Sequence, residues 1–295
     1  MMIDFGMRCH DICPKGPYTE VLDKVKSLGV NNIQLAFGKS VSDYDFSLGH
    51  YSAGFGRYLG EELKKRDIHL AVLGCYINPA SPDESAREAS VARFIEHLRY
   101  ARRMGADMVG TETGRYSTDF SVVPETKSET CYQTILKSFR PIVKAAEQIG
   151  TTVAVEGVFD HTLYCPQRMR RFLEDIDSAN VEVILDAVNL ITPEAEFDPE
   201  AQRQIIDEAF SLYGDRISVL HLKDFVFDGQ KQLYRHPGEG HFNYAPLMQH
   251  LYAKKPHIIG LLENSSPDRF HADCAYLQDQ FNQAATRAAT GAERK

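Results

Sequence analysis

The feature that most restricts how this chain can fold is a repeat of pattern along its whole length. Eight short apolar runs are each followed by a longer segment with the periodicity of an amphipathic helix. The runs are Ile3–Cys9, Asn32–Phe37, His69–Tyr76, Met108–Thr111, Thr152–Glu156, Glu182–Asp186, Ile217–Leu222 and Ile258–Glu263. They read as continuous apolar stretches and not as alternating ones, which marks strands buried on both faces. Strand and helix in strict alternation give a parallel sheet with covered faces, and eight units close into a (β/α)₈ TIM barrel. A doubly wound open sheet would carry a glycine-rich phosphate loop after its first strand. The first run instead ends Met7-Arg8-Cys9-His10-Asp11.

Helix punctuation fits the same plan. Ser81-Pro82-Asp83-Glu84 offers an N-cap serine, a proline at the first helical position and a capping-box glutamate. Val91, Ile95, Leu98 and Ala101 follow as one stripe that stops near Gly105. Asp198-Pro199 opens another helix, lined by Ile205, Ile206, Ala209, Phe210 and Tyr213 up to Gly214. Ile135, Leu136, Phe139, Ile142, Val143 and Ala146 line a third, which Pro141 should kink or break. No linker or low-complexity stretch divides the chain. The expectation is one barrel domain over residues 1–285, then a flexible tail over 286–295, beginning at Thr286.

A net charge of −8 disfavours an extended nucleic-acid surface, which needs clustered Lys and Arg. The six cysteines are scattered without a CxxC pair, as expected for reduced thiols in a cytoplasmic protein. Met1-Met2-Ile3-Asp4 does not resemble a signal peptide, and no run reaches membrane-spanning length.

In a barrel of this kind chemistry sits at the C-terminal ends of the strands. The last four runs end in Glu156, Asp186, His221 and Glu263. Carboxylates at the rim of an apolar core are costly to desolvate unless compensated, and a divalent cation compensates them. Three carboxylates and an imidazole suit Mn²⁺ best, with Mg²⁺, Co²⁺ or Zn²⁺ as alternatives.

This order of ligands resembles the xylose-isomerase-like barrel superfamily, and within it the sugar isomerase/epimerase and inosose-dehydratase-like proteins. The segments that carry the likeness are Val155-Glu156-Gly157, Leu185-Asp186-Ala187-Val188-Asn189, His221-Leu222-Lys223-Asp224, Pro237-Gly238-Glu239-Gly240 and Leu262-Glu263-Asn264. The resemblance implies a metal-dependent isomerase or epimerase acting on a ketose, cyclitol ketone or related polyol, in a family where homo-oligomers are common. In its ketose 3-epimerases the first and last glutamates bind metal and move a proton at the carbon next to the carbonyl, through an enediolate. Those roles fall on Glu156 and Glu263. Where ketose epimerases place a histidine after the strand-six aspartate, this chain has Asn189, expected to donate to substrate. Arg235 stands one residue out of register with the family arginine before the Pro-Gly turn.

Lys223, two residues beyond a ligand, Glu112 in a glycine-flanked turn, and His10 at the end of the first run complete the expected substrate contacts. A phosphate on the substrate would find Arg8, Arg115, Lys223 or Arg235. Three other readings stay open: a dehydratase that starts with the same proton abstraction, an apurinic-site endonuclease, and a non-catalytic sugar-binding barrel.

Overall fold

All eight runs are strands of one closed parallel barrel in a computed structural model of the chain, which describes residues 2–292. In chain order the strands are β1 (Asp4–Arg8), β2 (Asn32–Leu35), β3 (His69–Gly74), β4 (Ala106–Glu112), β5 (Thr152–Glu156), β6 (Val181–Asp186) and β7 (Ile217–Leu222). An antiparallel pair follows, β8 (Asp224–Asp228) and β9 (Lys231–Arg235), and then β10 (Ile259–Leu262). The barrel runs β1-β10-β7-β6-β5-β4-β3-β2, so that β10 closes the gap between β7 and β1.

Val72, Met108, Ala154, Ile184, Val219 and Leu261, each from a different strand, pack together in the barrel interior. Gly110 is required there, because a Cβ would stand 2.8 Å from Val72 and 2.9 Å from Ile184. The larger core lies between strands and helices. Its helical half comes from stripes such as Ile135, Phe139, Ile142 and Ala146, all buried.

Several local expectations shift. The helix Glu84–Met104 is capped by Asp83, whose side chain accepts from the Ala86 amide. Ser81 makes the preceding turn instead, accepting from the Asp83 amide at 3.3 Å. The helix Glu129–Ile149 is unbroken at Pro141, since its buried face holds both halves against the core. The last helix spans Phe270–Ala292. Residues 293–295 lie outside the described residues.

The hairpin was not anticipated. Its two-residue turn is Gly229-Gln230, with Gly229 at φ +60, and it is pinned at its base by Asp224. That carboxylate accepts from the amides of Phe225 (2.8 Å), Phe242 (2.9 Å) and Gly238 (2.9 Å). The hairpin thereby stands over the C-terminal mouth of the barrel. No helix among the described residues is long and apolar enough to cross a membrane.

Candidate metal centre

The register of the sheet sets Asp186 opposite His221, and Glu112 opposite Glu156. Glu156, Asp186, His221 and Glu263 are all buried and offer ligand atoms within 4.8 Å of one another. His221 Nδ1 lies 3.1 Å from Glu156 Oε2 and 3.8 Å from Glu263 Oε2. The other ring nitrogen, Nε2, donates to Gln34 Oε1 at 2.7 Å, and Gln34 Nε2 donates to the Tyr76 hydroxyl at 2.5 Å. The nitrogen bonded to Gln34 therefore faces the barrel wall, and Nδ1 faces the carboxylates, the orientation found in metal-bound histidines.

Two cations share the cluster. Lys223, a fully buried side chain, places Nζ 2.5 Å from Glu263 Oε2 and 2.7 Å from Asp186 Oδ2. Arg8 bonds Glu263 Oε1 through Nη1, and is held by Asp11 (2.7 Å) and Asn264 (2.9 Å). Burial alone would push the Glu263 carboxyl up, but the charges of Lys223, Arg8 and His221 hold it well below the usual carboxylate range. Asp186 goes the other way. Burial, reinforced by Glu263 and Glu156 against Lys223, raises it to about 7. Burial depresses His221, yet Glu156 and Glu263 outweigh that and raise it.

The donor set fits a divalent ion. With Asp186 ionised, three buried carboxylates against two buried cations leave a net negative charge. Asp186 Oδ2 and His221 Nδ1 are buried without a hydrogen-bond partner; the Lys223 contact to Asp186 Oδ2 is close but not in hydrogen-bond geometry. Such orphaned atoms are rare in a finished core, and oxygen plus imidazole nitrogen is the chemistry of a hard-to-borderline cation.

The other expected residues scatter. Asn189 lies in the short helix Val188–Leu190, where Nδ2 donates to Glu156 Oε1 at 2.7 Å and its amide donates to Asp186 Oδ1 at 3.0 Å. It holds two of the candidate ligands while lining the adjacent cavity. Lys223 sits inside the cluster, with Nζ 4.2 Å from the centre of the Tyr234 ring. Glu112 lines the cavity, where burial and the charges of Glu156 and Glu263 raise it to about 7.

Two residues depart from expectation. Arg235 ends β9 exposed, donating to the Tyr234 carbonyl at 2.9 Å, and is not among the residues lining the cavity, because the hairpin turns it outward. His10 does not line it either. It lies in the short helix Cys9–Ile12, and both ring nitrogens are buried without partners. Burial, then the Arg8 charge, lowers its pKa to about 4. Arg8 and Gln34, at the ends of the first two strands, take the places that reasoning from the last four left empty.

The cavity beside the cluster has a volume of about 900 Å³. Its walls come from the segments after β4, β5 and β6 and from the hairpin. That is the large end of the range for small-molecule sites.

A family model described as a xylose isomerase-like TIM barrel matches residues 22–280. No curated protein sequence matches the chain. Among solved structures, a D-tagatose 3-epimerase-like protein superposes with a TM-score of 0.70 at 16% identity, over 98% of this chain and 100% of that one. The 3-keto-D-glucoside 4-epimerase of E. coli gives 0.66 at 16%, over 96% and 99%. A xylose isomerase-like TIM barrel protein from Mycobacterium smegmatis, solved in complex with magnesium, gives 0.67 at 14%, over 95% and 98%.

Proposed function

Because the chain belongs to the xylose isomerase-like TIM barrel family, we propose that it is a divalent-metal-dependent isomerase or epimerase of a ketose, cyclitol ketone or related keto sugar. The observation that supports this most is the convergence of Glu156 and Glu263 on one cluster from β5 and β10, which stand apart in the barrel. Glu156, Asp186, His221 and Glu263 would hold the ion, Mn²⁺ being the best fit to the donor set. A bound divalent ion would supply Lewis acidity, making the carbon next to a substrate carbonyl easier to deprotonate.

The chain's own residues do the rest. Glu263, kept ionised by Lys223 and Arg8, is available as a base at neutral pH. Glu156, held by the neutral Asn189 amide, stands ready to accept or return a proton from the other side. The Lys223 charge stabilises an enediolate as it forms. Although burial disfavours the Lys223 ammonium, Asp186 and Glu263 outweigh it and keep the proton in place. Lys223 is thus a fixed charge and a poor proton donor to a departing hydroxyl, which favours proton transfer over dehydration.

The test is solvent exchange. With saturating Mn²⁺, ketoses and inososes incubated in D₂O should gain deuterium next to the carbonyl without losing water, followed by proton NMR. Glu156→Gln and Glu263→Gln should each lower the rate by about 10²–10⁴-fold, the usual share of a general acid–base group. Net loss of water would make the chain a dehydratase. Absence of exchange on the whole panel would sink the reading.

A further inference from the structure

Polar atoms left without partners are not confined to the metal cluster. Arg115 Nε, Asp160 Oδ1 and His161 Nδ1 are also buried without hydrogen bonds, and all three residues line the outer part of the cavity. His161, 2% exposed, holds Nδ1 3.7 Å from Glu112 Oε2 and Nε2 3.7 Å from Asp160 Oδ1. Both gaps exceed hydrogen-bond length. Burial pushes His161 down to about 4, so at neutral pH the ring offers one donor and one acceptor.

Beside them stands an aromatic face. Phe120 adopts φ +64, a strained conformation for a bulky residue. It is fixed there by Arg115, whose Nη1 donates to the Phe120 carbonyl at 2.8 Å and whose guanidinium lies 4.9 Å from the ring centre. The ring also meets His161 edge-on at 5.4 Å. Arg115 Nη2 is paired with Asp160 at 2.6 Å.

The scaffold behind this group is rigid. Asn78 accepts from the Arg115 amide at 3.1 Å and donates to the Arg115 and Ser117 carbonyls. Gly114, at φ +70, admits that contact because any Cβ would stand 2.1 Å from Asn78 Oδ1. The Thr162 amide ties the segment after β5 to the Gly114 carbonyl at 3.1 Å.

We propose that this part of the cavity is a second carbohydrate subsite, which receives a sugar ring beyond the one that reacts at the metal cluster. Vicinal hydroxyls each donate and accept, as do Arg115, Asp160 and His161 together, while the apolar face of a pyranose suits the Phe120 ring. The substrate class is then a disaccharide or glycoside in which one ring carries the carbonyl. This rests on the proposed keto-sugar chemistry only for the inner ring.

The experiment compares matched one-ring and two-ring probes on the Mn²⁺-loaded protein: fructose against lactulose and maltulose, and 3-keto-glucose against 3-keto-cellobiose. Deuterium exchange gives kcat/KM, and saturation-transfer NMR reports contact with the ring remote from the carbonyl. The expected preference for a two-ring probe is about tenfold or more, the scale set by a few good contacts. Phe120→Ala, at a 38% exposed side chain, and the near-isosteric Asp160→Asn should collapse that ratio towards one.

Exchange of one-ring probes without two-ring preference, or a preference that both variants leave intact, overturns the subsite and spares the proposed activity. Remote-ring saturation that disappears in Phe120→Ala, with no exchange anywhere, keeps the subsite and sinks the activity. Neither signal on any probe removes both.

Discussion

Gln34 sets what His221 can do. By accepting from Nε2 at 2.7 Å it keeps the imidazole proton away from the carboxylates. Without that acceptor the proton would be drawn to Nδ1, towards Glu156 and Glu263, and would occupy the nitrogen a cation needs. Gln34→Leu should therefore weaken Mn²⁺ binding by about 10–100-fold, the usual effect of removing an outer partner of a ligand. Titration against a competing chelator measures it. Unchanged affinity would mean that packing alone orients the ring. The four clustered residues Glu156, Asp186, His221 and Glu263 were legible because each stands at or next to the end of one of four successive apolar runs. Arg8 and Gln34 end runs too, yet neither is a habitual ligand. Their partners, Glu263 and His221, lie more than 180 positions away. Only barrel closure through β10 brings them together.

Among the elements, the barrel strands were readable for a physical reason: a strand buried on both faces needs apolar residues on both, so its run is unbroken. The β8–β9 hairpin escaped because it stands half-exposed outside the barrel, where that signal is absent. Its Gly229-Gln230 turn was the available clue, since glycine at the first central position suits the backbone of a tight two-residue hairpin. Missing the hairpin also misplaced Arg235, which belongs to its outward side. Helix starts were readable to within two residues, as the move from Ser81 to Asp83 shows. At Asp198 the reading and the structure agree. Its side chain accepts from the amides of Glu200 and Ala201, both at 3.0 Å, ahead of Pro199 at the first turn. Asp198→Ala should cost about 1 kcal/mol, as N-cap truncations do, with no change in metal affinity. Denaturant unfolding would show it. A loss near zero would mean that packing of Ile206 and Phe210 fixes the helix start without the cap.

For the molecule as a whole, stability against pH is divided between buried histidines and buried acids. His97 is 5% exposed, its Nδ1 donating to the Arg93 carbonyl at 2.9 Å and Nε2 facing the Tyr51 hydroxyl at 3.3 Å. Burial lowers its pKa from 6.5 to about 4, and His161 shifts alike. A folded pKa below the unfolded one means that the unfolded chain binds more protons between those values. The contribution is complete above 6.5 and is lost as the pH falls towards 4. By pH 5 the loss amounts to about 2 kcal/mol for each such histidine. Asp186 and Glu112, raised to about 7, have the opposite sign, because the folded state takes up their protons first and gains stability as the pH falls below 7. The two sets offset each other, so the wild-type curve alone would hide both. His97→Gln separates them, since it removes one histidine and leaves the acids untouched. Measured by denaturant unfolding, the stability of wild type relative to His97→Gln should drop by about 2 kcal/mol between pH 7.5 and 5. A difference that stays constant across that range would show that His97 does not carry the pH dependence. In that case the acid side of the curve would have to come from His10 and His161, the other two histidines that burial lowers to about 4.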